Sequence, residues 1–177
     1  MKKLVICLFV TAIIATVIFF ALLGTIFYKE YLFDINCKQY LERATNAATI
    51  ETAREELEKA ISYAEAHHLT TGNSSLFWNE PQNDIGFWYR NLKASLDELV
   101  QLPSDATLLE KSNSLMRLKD ALTTEGENGR HVICPANIAV FPNHRDWFCR
   151  SFVAGLIVLV LFICWYKADS HYYKYYY

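Results

Sequence analysis

Five cysteines are the residues of this chain whose spacing could support covalent chemistry. Cys7 and Cys164 lie within long apolar runs, where a thiol behaves as a small hydrophobic side chain. Cys37 and Cys134 lie in the polar middle of the chain, and a disulfide between them could persist if that middle faces an oxidising compartment. Cys149 is a rival partner, and two free thiols are the alternative. The sequence therefore makes Cys37 and Cys134 a candidate disulfide.

Two carboxylates beside tryptophans could imitate the active site of a sugar-cleaving enzyme. Glu80 and Asp84 lie close in sequence to Trp78 and Trp88, which would supply stacking rings. Acidic residues in a turn are, however, more often helix caps or solvated loop positions. The sequence contains no nucleophile elbow, zinc-protease, P-loop or C-x-x-C motif. We therefore expect no catalytic residue and no enzymatic activity.

The histidines and the overall charge argue against a metal site and against nucleic acid. His67 and His68 are adjacent, so on a helix they point about 100° apart and cannot clamp one ion together. A histidine near the end of a helix instead interacts favourably with the helix dipole. The net charge is -2 at pH 7, and the middle of the chain is acidic, so it offers phosphates no basic face. We expect no metal, no cofactor and no nucleic-acid partner.

Two apolar runs predict membrane spans and explain the hydrophobic fraction of 53%, which exceeds the usual value for soluble chains. Residues 4–28 contain no charged side chain, and about 20 apolar residues cross a bilayer as a helix. A signal peptide is the competing interpretation because Lys2 and Lys3 precede this run, but no small-residue cleavage site ends it. Residues 147–166 form the second run, with aromatic residues at both ends. We predict transmembrane helices at both places.

Charge orients the predicted spans. Lys and Arg near a span are retained in the cytoplasm, and Lys2 and Lys3 precede the first span. We therefore place residues 1–3 and the short Tyr-rich tail, residues 167–177, in the cytoplasm. Residues 29–146 then form an extracytoplasmic domain, and the plain spans suit a bacterial inner membrane with this domain in the periplasm.

The middle of the chain has the apolar spacing of amphipathic helices, in which apolar residues recur every three or four positions. The predicted helices span residues of about 29–48, 50–68, 84–102 and 105–124, followed by an extended link. The last helix carries an apolar series made of Leu108, Leu109, Leu115, Met116 and Leu122, with Ser112 at the same spacing. Successive helices should alternate in direction. The predicted fold is an all-α membrane protein in which two transmembrane helices flank an extracytoplasmic up-down helical bundle.

The stretch F-W-N-E-P-Q-N-D-I-G-F-W-Y, residues 77–89, crowds aromatic side chains around a Pro and a Gly. It joins the second predicted helix of the domain to the third, which places it at the membrane-proximal end of the bundle. Trp88 and Tyr89 belong to the buried side of the third helix. The other aromatic residues would contact lipid headgroups or the link before the second span. The candidate interface or membrane-contact residues are Phe77, Trp78, Phe87, Phe141 and Trp147.

Three classes of function fit these features. The first is a non-catalytic accessory or structural subunit of a membrane assembly, which would dock a protein partner or another copy of the chain within the lipid bilayer. The alternative is a sensory or ligand-binding input protein that signals through a partner, because residues 167–177 are too few for a signalling module. The second alternative is an oligomeric two-span channel, although its spans offer few polar residues to line a pore.

Overall fold

The structure is a computed structural model of the chain, and it is mostly helical. It describes residues 2–75, 79–103, 105–126, 129–140 and 145–176. The chain divides into two compact units, each with its own internal contacts. The first unit consists of Met1–Tyr28 and His144–Tyr177, and the second consists of Lys29–Asn143.

The helices and strands follow one another along the chain as a long helix, a group of shorter helices, a hairpin and a second long helix. In order they are α1 (Lys2–Phe33), a π-helical segment (Asp34–Lys38), α2 (Gln39–Thr45), α3 (Ile50–Ala66), a 3-10 turn (Pro81–Asn83), α4 (Ile85–Gln101), α5 (Leu108–Leu122), β1 (Thr123–Gly126), β2 (Gly129–Val132) and α6 (Arg145–Tyr176). The predicted helical character of the chain is confirmed.

Among the described residues, two helices are long and apolar enough to cross a membrane, so both predicted spans coincide with candidate spans. One is Val5–Thr45, which begins within α1 and continues through α2, and its uncharged apolar part is residues 5–28. The other is Cys149–Ala168 within α6. Only 6% of the residues in the most apolar part of each helix are buried in the structure. Apolar side chains at this density are stable only where lipid or another protein removes them from water.

Side-chain contacts within the first unit set the relative direction of its two helices. The rings of Phe9 and Trp165 have centroids 5.2 Å apart. Gly155 faces Phe19 so closely that a Cβ atom added to the glycine would lie 3.0 Å from the ring. The start of α1 therefore lies beside the end of the apolar part of α6, and the two helices run antiparallel.

Side-chain caps begin α3, α4 and α5, the last three α-helices of the second unit. Thr49 caps α3 and Asp84 caps α4, each accepting a hydrogen bond from a backbone N–H, at 3.2 Å and 3.0 Å respectively. Thr107 and Glu110 form a capping box at the start of α5, in which each side chain accepts from the backbone amide of the other residue. These bonds satisfy amides that have no partner within the helix.

Neighbouring helices of the second unit run antiparallel around a shared core. Between α2 and α3, Arg43 Nη2 lies 3.1 Å from Glu56 Oε1, while the earlier Phe33 packs on the later Tyr63. The start of α4 lies beside the end of α3, and α5 contacts α2, α3 and α4. The largest fully buried side chains of this core include Leu41, Leu57, Ile85, Leu92 and Ile138.

A two-stranded antiparallel hairpin follows α5, where the sequence predicted the end of a helix and an extended link. Thr123 pairs with Val132, and Gly126 pairs with Gly129, whose φ of 108° suits glycine. The β-branched Thr123 ends the helix while its hydroxyl still donates to the Lys119 carbonyl at 2.7 Å. The hairpin thus returns the chain to the core.

Candidate functional site

The carboxylates and histidines singled out in the sequence have local structural roles. Asp84 is the cap of α4, and Glu80 Oε2 accepts a hydrogen bond from the Asn83 side chain at 2.7 Å. His67 follows α3, and its ring centroid lies 4.2 Å from that of Tyr63. No group of three or more potential metal ligands occurs among the residues that the structure describes.

The predicted aromatic contact residues lie mostly outside the described part of the chain. Phe77, Trp78 and Phe141 fall in undescribed segments, and Trp147 lies in α6, where its side chain is not described. Phe87 lies in the first turn of α4 with 56% of its surface exposed. It is available for an interface or a membrane contact, and that role stays a prediction.

The other two aromatic residues of the stretch hold the second unit together. Trp88 is buried, and its indole Nε1 donates to the Ile133 carbonyl at 3.0 Å. The Tyr89 hydroxyl donates to Glu65 Oε1 at 2.5 Å, which connects α4 to the end of α3. The hydrogen bond raises the pKa of Tyr89 to about 12. The same bond and a second one from Lys93 lower the pKa of Glu65.

Cys37 and Cys134 lie in the same hydrophobic core, although 97 positions separate them in the sequence numbering. Cys37 is fully buried, and its thiol donates to the Ala60 carbonyl at 3.6 Å. Cys134 is half-buried and packs against the core. Both cysteines are free thiols in the structure, so the disulfide between them stays a prediction.

The surroundings of the two thiols disfavour their ionised forms. Burial raises the pKa of the Cys37 thiol well above its usual range, and the neighbouring Cys134 raises it further. Burial also raises the pKa of Cys134 to about 12, while Lys38 lowers it and the acidic Glu42 and Asp34 raise it. The protonated forms of both thiols are therefore favoured in the folded chain.

Glu56 is a buried carboxylate that sequence analysis did not identify. Its Oε1 atom binds both Arg43, at 3.1 Å, and Lys59, at 2.8 Å. Its Oε2 atom is buried without a hydrogen-bond partner among the described residues. Its position in the sequence could have indicated its burial, since Glu56 falls between Ala53 and Ala60 on the apolar stripe of α3.

The α5 helix presents an apolar surface to solvent, and this surface is the strongest candidate interaction site. Leu108 is 88% exposed, Leu109 is 70% exposed and Met116 is 61% exposed. Leu109 and Met116 share one face, since seven residues make two helical turns. We call these three residues the α5 apolar face. The core side of the same helix is different and consists of Ser114, Leu118 and Leu122.

A groove lies beside the start of α5 in the second unit, with a volume of about 510 Å³. The end of α4 gives it an apolar side, formed by Leu99, Val100, Leu102 and Pro103. The start of α3 gives it a charged side, formed by Glu51, Arg54, Glu55 and Glu58, and Lys111 of α5 also borders it. Because Leu108 precedes Lys111 by one helical turn, the groove and the α5 apolar face lie at the same end of α5.

Comparisons with known proteins give no family for this chain. No protein-family model matches it, and neither a curated protein nor a solved structure does so.

Proposed function

We propose that this chain is a non-catalytic accessory or structural subunit of a membrane protein assembly. The α1 and α6 helices hold it in the bilayer, and its helical domain docks a partner protein. The observation that carries this proposal is the α5 apolar face, where Leu108, Leu109 and Met116 lie exposed on a helix that already has a core side. Exposed apolar side chains grouped on one element are typical of protein interaction sites.

Membrane placement has support from the exposure and the contacts of α1 and α6. The apolar parts of α1 and α6 are exposed, as lipid contact requires. Their antiparallel contacts, at Phe9 with Trp165 and at Phe19 with Gly155, favour both termini on one side of the membrane. Lys2 and Lys3 favour the cytoplasmic side. The helical domain is then extracytoplasmic, in the periplasm of a bacterial cell.

A protein partner suits the α5 apolar face better than a small ligand does. The face is a convex helix surface, whereas small molecules are held in concave pockets that bury most of their area. A partner with aliphatic or aromatic side chains would remove Leu109 and Met116 from water together. Burying each such side chain contributes about 1.5–3 kcal/mol.

Site-specific photo-crosslinking in the native membrane tests the proposal. A photoreactive amino acid replaces Leu109 in one variant and Ala94, an exposed residue of α4, in a matched control. We expect a discrete crosslinked protein from position 109, little from position 94, and loss of the product when Leu108→Ser and Met116→Ser are added. The mass of the product separates a different partner from a second copy of the chain.

The proposal fails if position 109 gives no more crosslinking than position 94 while the chain is properly inserted. It also fails if the chain purifies in mild detergent as a monomer from cells in which crosslinking gave no product.

A further inference from the structure

We infer that Cys37 and Cys134 are a redox pair, which forms a disulfide between the first and the last segments of the second unit in an oxidising compartment. The pairing itself depends only on the fold of that unit. Its occurrence in the cell rests on the proposed periplasmic placement.

The first argument is the position of Cys134 beside the helical segment that carries Cys37. The β2 strand, which ends two residues before Cys134, contacts α2, which begins two residues after Cys37. Cys134 also packs against the core that contains Cys37. The electrostatics agree, since Cys134 interacts with Cys37 and with the neighbouring Lys38.

The second argument is that the backbone beside Cys134 is fixed. The Ile133 N–H donates to the Leu122 carbonyl at 2.8 Å, and the Ile133 carbonyl accepts from Trp88 Nε1 at 3.0 Å. Trp88 in turn packs against Phe33, with ring centroids 6.4 Å apart. Phe33 directly precedes the π-helical segment that carries Cys37. One set of contacts thus connects the two segments that carry the cysteines.

Exposure determines the order of the chemical steps. Cys134 is half-buried and Cys37 is fully buried, so Cys134 is the thiol that an external disulfide reaches first. The Cys134 thiol loses its proton and attacks that disulfide, which releases one thiol and leaves a mixed disulfide. Cys37 then loses its proton and attacks the Cys134 sulfur, which releases the second thiol. Two protein thiols become one disulfide, and the external disulfide is reduced to two thiols.

The crosslink would enclose nearly the whole second unit in one covalent loop. Cys37 lies near its first residue, Lys29, and Cys134 lies near its last residue, Asn143. Long loops gain the most from closure, because the bond restricts the unfolded chain over its whole length. The helical domain would then resist unfolding in the oxidised state more than in the reduced state.

The test uses the reduced full-length chain in mild detergent, treated with oxidised glutathione. We compare the unchanged chain with Cys37→Ser, Cys134→Ser and the matched control Cys149→Ser. Mass spectrometry without reduction should show a peptide that links Cys37 to Cys134 in the unchanged chain and in Cys149→Ser. Cys37→Ser should stop at glutathione bound to Cys134, and Cys134→Ser should leave Cys37 unmodified.

Thermal unfolding gives the second readout. Oxidation should raise the midpoint in the unchanged chain and in Cys149→Ser, a reducing agent should reverse the rise, and neither pair variant should show it. Equal helix content by circular dichroism checks that the variants fold. A bond from Cys149 to either residue, or glutathione that stays on Cys134 in the unchanged chain, overturns the inference. The crosslinking at Leu109 does not depend on this bond, so the two proposals fail separately.

Discussion

At the residue scale, Glu56 shows how one charged side chain can occupy an apolar helix stripe. Its carboxylate is buried, whereas its partners Arg43 and Lys59 keep 64% and 50% of their side chains exposed. Burial of a carboxylate is tolerated only when cations or hydrogen bonds offset its loss of hydration. Because both cations bind Oε1, the second oxygen of Glu56 has no such compensation from the described residues.

Replacing Glu56 by alanine should lower the free energy of unfolding by about 1–3 kcal/mol, because a packed, hydrogen-bonded side chain is lost from the core. The cost is moderate because Arg43 can return to water. Glu58, an exposed residue of the same helix paired with Arg54, is the matched control, and Glu58→Ala should change stability by less than about 1 kcal/mol. Chemical unfolding of the full chain in mild detergent, followed by tryptophan fluorescence, measures both. Equal effects would contradict the structural role of Glu56.

Tyr89 and Glu65 should make stability depend on pH. The fold raises the pKa of Tyr89 to about 12 and lowers the pKa of Glu65 below its ordinary 4.5. The bond therefore contributes fully between the unfolded pKa values of Glu65 and Tyr89, 4.5 and 10.0. That contribution is lost as pH rises from 10 through about 12, and also as pH falls below 4.5 through the lowered pKa of Glu65.

Tyr89→Phe should lower the free energy of unfolding near neutral pH by about 0.5–1 kcal/mol, since the bond lies close to solvent. The difference from the unchanged chain should shrink in alkaline solution, where Tyr89 ionises. Glu65→Gln should remove the same alkaline dependence of the free energy of unfolding. Unfolding curves measured across pH give this dependence. A stability difference between Tyr89→Phe and the unchanged chain that stays constant above pH 10 would argue against this hydrogen bond.

At the element scale, α5 is positioned by its cap and by its core side. Thr107 begins the helix through a capping box, and Leu118 and Leu122 anchor it to the core. The apolar series that the sequence showed along this helix is therefore divided between two sides. Leu122 faces the core, whereas Leu108, Leu109 and Met116 face solvent.

Removing the cap tests how firmly the start of α5 is held. Thr107→Ala should lower the free energy of unfolding by about 1 kcal/mol, because a backbone amide at the helix start loses its acceptor. Ser112→Ala, at an exposed position inside the same helix, should be neutral or slightly stabilising, since alanine favours helix. Unfolding in mild detergent compares the two variants. If both behave alike, the capping box contributes nothing measurable.

The contact between α1 and α6 gives another prediction at this scale. Gly155 is 3.0 Å from Phe19 when a Cβ is added, whereas a Cβ at Gly24 meets nothing within 4 Å. Gly155→Leu should therefore force the helices apart and lower the thermal midpoint of the detergent-solubilised chain, and Gly24→Leu should not. Equal midpoints for the two variants would mean that the α1 and α6 contact does not stabilise the chain.

At the scale of the whole molecule, the two units expose different kinds of surface. The first unit exposes apolar side chains on both of its helices, while the second unit has its own hydrophobic core and exposed charges. A bilayer suits the first unit and water suits the second. The proposed topology, with both termini in the cytoplasm, follows from this division and from the lysines at the start of the chain.

Reporter fusions test that topology. A reporter active only in the cytoplasm should work when fused after residue 177, and a reporter active only in the periplasm should not. The matched control is a truncation after Gln101, which retains one span and should reverse both results. Periplasmic activity after residue 177 would show that the second span does not return the chain to the cytoplasm.

The sequence by itself determined the features that depend on neighbouring residues. The two candidate spans were readable because crossing a bilayer requires one continuous apolar run. The helical character was readable because each amphipathic helix repeats its apolar spacing locally. The cap at Asp84 was equally local, since its acceptor and donor lie within one turn.

Only the tertiary structure decided the features that join distant residues. Trp88 meets Ile133, and Cys134 packs against the core that contains Cys37, because the hairpin after α5 returns the chain to the core. The exposure of Leu109 likewise depends on which side of α5 the other helices cover. The residue type shows that a side chain is apolar, and the local spacing shows on which helix face it lies. Whether that face meets a core, a lipid or a partner depends on packing between segments far apart in the chain.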